Sequence, residues 1–150
     1  MNARSRSFGT VGSICSREVI VAGPGEPLRT AVQLMHAQRV GSIVICEDLH
    51  GRRIPVGIVT DRDVALSLLH HDSEVAAIPL RLVMSTDPLV LFEDQDISEA
   101  LDFLRARGVR RAPVVDAARS LVGIVSIDDL LGVIARQLAD IARLIERQAQ

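Results

Sequence analysis

Sliding the 150-residue chain along itself by 69 positions lays Val40-Gly41-Ser42-Ile43-Val44-Ile45-Cys46-Glu47 on Val109-Arg110-Arg111-Ala112-Pro113-Val114-Val115-Asp116. The same offset pairs Ser16 with Ser85, Val21 with Val90, Ala31 with Ala100 and Ala37 with Ala106. Beyond this strand the offset falls to 66, because the stretch 48–55 is three residues longer than its counterpart at 117–121. The expectation is a loop insertion, where extra residues are tolerated. A twofold internal repeat narrows the possible folds sharply: a chain of this length suits one ordinary domain or two small repeats sharing a core. With 48% apolar residues there is enough material for one.

Each repeat presents the same order of elements. A short helical turn at 11–15 and an extended stretch at 19–21 come first. Gly23-Pro24-Gly25 then breaks the chain, and Pro27 stands where a helix can begin. Leu28, Ala31, Val32, Met35 and Val40 keep helical spacing, with Arg29, Gln33, His36 and Arg39 on the other face. The stretches 42–46 and 55–59 are apolar and β-branched, as strands covered on both faces are. A helix follows from Asp61 to about Leu69. In the second repeat the corresponding elements are 80–84, 89–92, 97–107, 112–115, 121–125 and a helix from Ile127. The chain thus divides into a tail (1–10), repeat one (11–71), a linker (72–79), repeat two (80–137) and a helical extension (138–150). The tail reads as unstructured or as a short strap across the partner repeat.

The junction between last strand and last helix is the most distinctive stretch in both repeats: Gly57-Ile58-Val59-Thr60-Asp61-Arg62-Asp63 and Gly123-Ile124-Val125-Ser126-Ile127-Asp128-Asp129. Thr60 and Ser126 fall at the helix N-cap, and a carboxylate follows three residues later, as in a capping box. Capping alone accounts for these residue types. The same arrangement also gathers a hydroxyl, free N–H groups and a positive dipole end, which suits a phosphate.

Composition excludes several alternatives. The net charge is −2 and all seventeen cations are Arg, so a Schiff-base lysine and a Walker-type phosphate lysine are absent. Three Phe, with no Tyr or Trp, and charge evenly spread over both repeats give no nucleic-acid surface. No apolar run approaches the ~18 residues of a membrane span, and the N-terminal stretch lacks a signal-type apolar region. A cytoplasmic protein is expected. Cys15 and Cys46 are too far apart for metal-ligand spacing and read as buried free thiols. His70-His71-Asp72 reads as the solvated end of a helix, where cations complement the dipole. Leu130, Ile134, Leu138, Ile141 and Ile145 carry an apolar stripe past the length the repeat needs, so this helix is expected to lie on a partner, most cheaply a second copy.

This repeated order, with Gly-aliphatic-aliphatic-Thr-x-Arg-Asp entering the last helix, resembles the CBS domain family, and two copies in tandem resemble a Bateman module. The resemblance covers about residues 11 to 137. It implies an α/β (α+β) fold in which each repeat is a small sheet with flanking helices, the two related by a pseudo-twofold axis that leaves two clefts. It further implies ligands of the adenosine class, AMP, ADP, ATP or S-adenosylmethionine. Thr60 and Ser126 would contact phosphate, and Asp63 and Asp129 the ribose hydroxyls. Arg62, Arg110 and Arg111 would serve phosphate, while Ile20, Val21, Ile43, Leu89, Val90, Ala112 and Pro113 would wall the adenine. Asp128 in place of Arg62 makes the second pair less hospitable to an anion, so the Thr60/Asp63 site is expected to bind better. No cofactor is obligatory, although Mg2+ could accompany a nucleotide at Asp61, Asp63, Asp128 and Asp129. The resulting expectation is a regulatory module, not an enzyme, that forms homodimers and controls another protein. Its competitor is a ligand-independent homodimerisation scaffold.

Overall fold

The computed structural model describes residues 8–70 and 74–149. In chain order the elements are α1 (Val11–Ile14), β1 (Val21–Ala22), α2 (Leu28–Gln38), β2 (Ser42–Leu49), β3 (Arg52–Thr60), α3 (Asp61–His70), β4 (Ser85–Thr86), β5 (Leu91–Phe92), α4 (Ile97–Arg107), β6 (Arg111–Val115), β7 (Leu121–Ser126) and α5 (Ile127–Gln148). Short 3₁₀ turns at Val75–Ala77 and Leu80–Leu82 join the repeats. The strands form two sheets, ordered β1-β2-β3-β4 and β5-β6-β7. In each, the short opening strand runs parallel to the middle strand, and the middle strand is antiparallel to the last. His71 and Asp72 lie outside the described residues; His70 is exposed at the end of α3.

Alternation along the middle strand explains why it is apolar throughout. Ile43 and Ile45 are fully buried beneath α2 with Leu28, Ala31 and Val59. Val44 and Cys46 point the other way and meet Leu121, with Val19, Val21 and Ile124 around them, where the two sheets pack together. A strand covered on both faces has no polar side to show.

The opening turn of each repeat packs into the other repeat's core. Val11 of α1 is fully buried with Leu91, Ile97, Ala100, Leu104, Val125 and Leu130 of repeat two. Its neighbours are fixed by backbone bonds from Val11 N–H to Gln95 O (2.9 Å) and Gly12 N–H to Glu93 O (2.8 Å). Leu80 reciprocates in the core of repeat one beside Ala22, Leu28 and Ile43, with its N–H on Glu26 O at 2.8 Å. A four-residue helix is not stable by itself, so burial of Val11, worth about 1.5–3 kcal/mol, holds it in place.

This exchange accounts for the glycine that opens each junction motif. Ser16 pairs with Ile124 beside β7, and β4 pairs with Gly57 and Ile58 of β3. A Cβ on Gly123 would stand 2.7 Å from both Cys15 Sγ and Ser16 O, and one on Gly57 would stand 2.8 Å from Met84 Cγ. Only glycine lets the crossing segments approach that closely.

The stretch 48–55 is not the loop that was expected. β2 and β3 continue pairing through Cys46–Pro55, Glu47–Ile54, Asp48–Arg53 and Leu49–Arg52, after a register shift at Ile45/Cys46. His50 (φ 55°) and Gly51 (φ 79°) close the ribbon as a two-residue turn with both φ positive, and Asp48 Oδ1 accepts from Gly51 N–H at 2.9 Å. The three extra residues therefore lengthen a solvent-exposed hairpin, whose polarity resembles that of a loop.

Candidate functional site

Two clefts lie between the repeats, and they are built from equivalent parts. The first, of about 350 Å³, takes Ser16, Glu18, Val19, Ile20 and 39–42 from repeat one, with Arg111, Ile124, Ser126 and Asp129 from repeat two. The second, of about 660 Å³, takes 85–89 and 107–111 from repeat two, with Gly41, Ile58, Thr60, Asp61 and Arg62 from repeat one. Offsets of 69 and 66 carry one set largely onto the other. Each cleft is therefore walled by the opening stretch and pre-strand loop of one repeat and closed by the strand-to-helix junction of the other.

The junctions have the same local chemistry. Thr60 N–H and Thr60 Oγ1–H both donate to Asp63 Oδ2, at 2.8 and 2.9 Å, and Asp63 N–H donates back to Thr60 Oγ1 at 3.2 Å. Ser126 and Asp129 repeat this at 2.7, 3.0 and 3.3 Å. Both are capping boxes, and in both the hydroxyl's proton is directed at the carboxylate. Ser67 adds a bond from its hydroxyl to Asp63 O at 2.8 Å, tightening the first turn of α3.

Electrostatics separate the clefts. Four arginines, Arg62, Arg107, Arg110 and Arg111, face two aspartates, Asp61 and Asp87, in the second. Arg107 is engaged by Asp87, donating to its backbone oxygen at 2.6 Å and lying 3.7 Å from its carboxylate. Arg62 and Arg110 form no ion pair among the described residues. In the first cleft Arg39 and Arg111 are balanced by Glu18 and Asp129. The larger and more cationic space belongs to Thr60.

Of the residues singled out in the sequence, Thr60, Arg62, Leu89, Arg110 and Arg111 line the second cleft, and Ile20, Arg111, Ser126 and Asp129 the first. Asp63 stands behind Thr60, half-buried, and lines neither. Ile43 and Ala112 have no exposed surface and belong to the cores of their own repeats, because the strand alternation turns them toward the helices. Val21, Val90 and Pro113 also line neither cleft; Val21 packs between the sheets. Asp128 is exposed and outside the first cleft. Sequence reasoning missed Glu18, Arg39, Asp87 and Arg107. The repeat offset links Glu18 with Asp87, whereas Arg39 and Arg107 map on Gly108 and Gln38, so no repeated residue type points to them.

Neither thiol lines a cleft. Cys46 is buried between the sheets, and desolvation pushes its pKa up to about 11, with Arg53 opposing; burial also raises that of the half-buried Cys15. Among the described residues no group of three His, Cys, Asp or Glu is placed to hold a metal ion, and no helix is long and apolar enough to cross a membrane.

The family model for the CBS domain matches twice, over residues 11–70 and 75–136. An uncharacterized protein of Methanopyrus kandleri is 32% identical over 127 residues, covering 83% of this chain and 62% of that relative's own length. An uncharacterized 17.7 kDa protein of Acidianus ambivalens is 31% identical over 131 residues, 87% of this chain and 74% of the relative. Among solved structures, the CBS domain pair of the protein MJ0100, in complex with 5′-methylthioadenosine and S-adenosyl-L-methionine, superposes with a TM-score of 0.72 at 23% identity. That likeness spans 85% of this chain and 97% of the other.

Proposed function

The chain belongs to the CBS domain family, and from that premise we propose that it is a regulatory module that binds an adenosine nucleotide in the cleft closed by Thr60 and Arg62. The observation that carries this reading is the cation excess of that cleft beside a capped helix N-terminus, in a space within the usual ~300–1,000 Å³ range of small-molecule sites. Leu89, Ile58 and Pro88 offer apolar surface for a base, and Arg62, Arg110 and Arg111 surround the place for phosphates. Any Mg2+ would arrive with those phosphates, with Asp61 and Asp87 as the nearby carboxylates. The adenosine compounds bound by the MJ0100 pair support the ligand class. No catalysis is assigned. Binding would act on a partner protein in the cytoplasm by favouring one relative arrangement of the two repeats, as a ligand with differential affinity does.

A thermal-shift panel with AMP, ADP, ATP, NAD and S-adenosylmethionine tests this. A true ligand at a hundredfold excess over its dissociation constant stabilises the native state by ~2.7 kcal/mol. An unchanged melting temperature with every compound, on protein stripped of nucleotide, would refute the reading.

A second reading is favoured by α5. Beyond Val133 the helix has no buried residue, and Leu131, Ile134, Leu138, Ile141 and Ile145 are 44–62% exposed at alternating spacings of three and four. That spacing is the seam of a coiled coil. We propose that the chain forms a homodimer along this seam, which a scaffold role would need and a sensor would also use.

A further inference from the structure

The two clefts meet at a pair of residues that occupy the same position in the two repeats. The offset of 69 carries Ser42 onto Arg111, and Arg111 Nη1 donates to Ser42 Oγ across 3.2 Å. Equivalent residues of a twofold pair touch only beside the axis that relates them. Arg111 therefore stands at the pseudo-twofold axis, with one cleft on either side, and it lines both. Gly41, where a Cβ would stand 3.3 Å from Asp61 Oδ2 and 3.6 Å from Arg111 Nη1, also borders both clefts. Because repeat one has serine at this position, the axis carries one guanidinium where a symmetric protein would carry two.

We propose that Arg111 is a single anion-binding group shared by the two clefts, so that a phosphorylated nucleotide in one weakens the binding of a second in the other. The inference rests on the nucleotide reading above and adds its regulation. A guanidinium is a planar fork on one stem, and drawing it toward a phosphate on one side withdraws it from the other. The consequence is unequal. The second cleft keeps Arg62 and Arg110, whereas the first is left with Arg39 against Glu18 and Asp129. Filling the second cleft thus disfavours an anion in the first, and by reciprocity of linkage the converse holds by the same factor.

The test is calorimetric titration of the whole chain, freed of nucleotide, with ADP as the charged probe and adenosine as the uncharged one. Ile20→Trp fills the first cleft and Leu89→Trp the second, giving the intrinsic affinity of the cleft left open. Comparison with the unblocked protein gives the coupling factor, and the comparison is repeated with Arg111→Gln and Arg111→Lys. The expected result is weakening by about tenfold for ADP in the parent protein, less than twofold after Arg111→Gln, retention of coupling in Arg111→Lys, and none with adenosine. ADP filling both clefts independently, or coupling that survives Arg111→Gln, overturns the shared-arginine inference and leaves the nucleotide reading standing. Loss of all ADP binding in Leu89→Trp also overturns it, since the first cleft would then take no anion. Absence of ADP binding in every protein overturns both.

Discussion

Asp63 accepts two hydrogen bonds from Thr60 through one carboxylate oxygen, Oδ2, and returns one through its own N–H. The box fixes the Thr60 side chain at the mouth of the larger cleft, so Asp63 affects ligand by holding another residue in place as well as by its own charge. Asp63→Ala should cost about 0.5–2 kcal/mol of stability and weaken nucleotide binding. Asp96→Ala removes the cap of α4, where Asp96 accepts from Ser98 N–H at 2.8 Å away from both clefts. It should cost a similar amount of stability with affinity unchanged. Urea melts and titrations of the two variants separate the effects.

The exchanged opening turns predict unequal costs at two equivalent glycines. A methyl on Gly123 meets backbone, Ser16 O, whereas on Gly57 it meets the flexible Met84 side chain. Gly123→Ala should cost about 2–3 kcal/mol and Gly57→Ala about 1 kcal/mol, within the usual range for overpacking. Equal unfolding midpoints would mean that the crossing at Ser16 is looser than described.

Arg39 ends α2 in the left-handed region (φ 54°, ψ 43°), where repeat two has Gly108 at φ 65°. A non-glycine residue there is strained by about 1 kcal/mol. Arg39→Gly should raise stability by roughly that amount in chemical denaturation, while removing a cation from the smaller cleft only.

Burial sets an alkaline limit on stability. In the unfolded chain Cys46 ionises near the ordinary thiol pKa of 9.0, and in the folded protein at about 11. The folded state then holds the proton more tightly, so its contribution is complete below about pH 9 and is lost as pH rises toward 11. The burial-raised pKa of Cys15 acts in the same direction. Urea midpoints should fall between pH 8 and 10.5, less steeply in Cys46→Val, and Cys46 should resist thiol reagents at pH 8 until the protein unfolds.

The seam on α5 predicts that assembly depends on residues outside both clefts. Truncation after Gln137, or Leu138→Glu with Ile141→Glu, should reduce the mass seen in sedimentation. Ligand binding to the remaining module should persist. A sedimentation profile identical to that of the parent chain would show that the stripe is not a self-association surface.

Much of this was legible because the chain repeats. The span Ile97–Arg107 of α4 follows directly from its periodicity, and the capping boxes follow from Thr60/Asp63 and Ser126/Asp129. What the sequence concealed was relational. Nothing local in 11–14 says that α1 packs on the distant α5 and β5, and an exposed ribbon such as 47–54 has the polarity of a loop. The family resemblance puts the middle-strand residues Ile43 and Ala112 in the adenine wall, yet a period-two strand turns them inward. Gly57 and Gly123 stood out in the motif, but the reason for each is a segment almost thirty residues away or more than a hundred.

Whether the cleft of Thr60, Arg62, Leu89 and Arg110 holds an adenosine nucleotide is decided by a crystal structure determined in the presence of ADP. Density is expected in that cleft, with the phosphates beside Thr60 Oγ1 and the guanidinium groups of Arg62, Arg110 and Arg111. An empty second cleft at saturating ADP, or ADP bound elsewhere on the molecule, would contradict it.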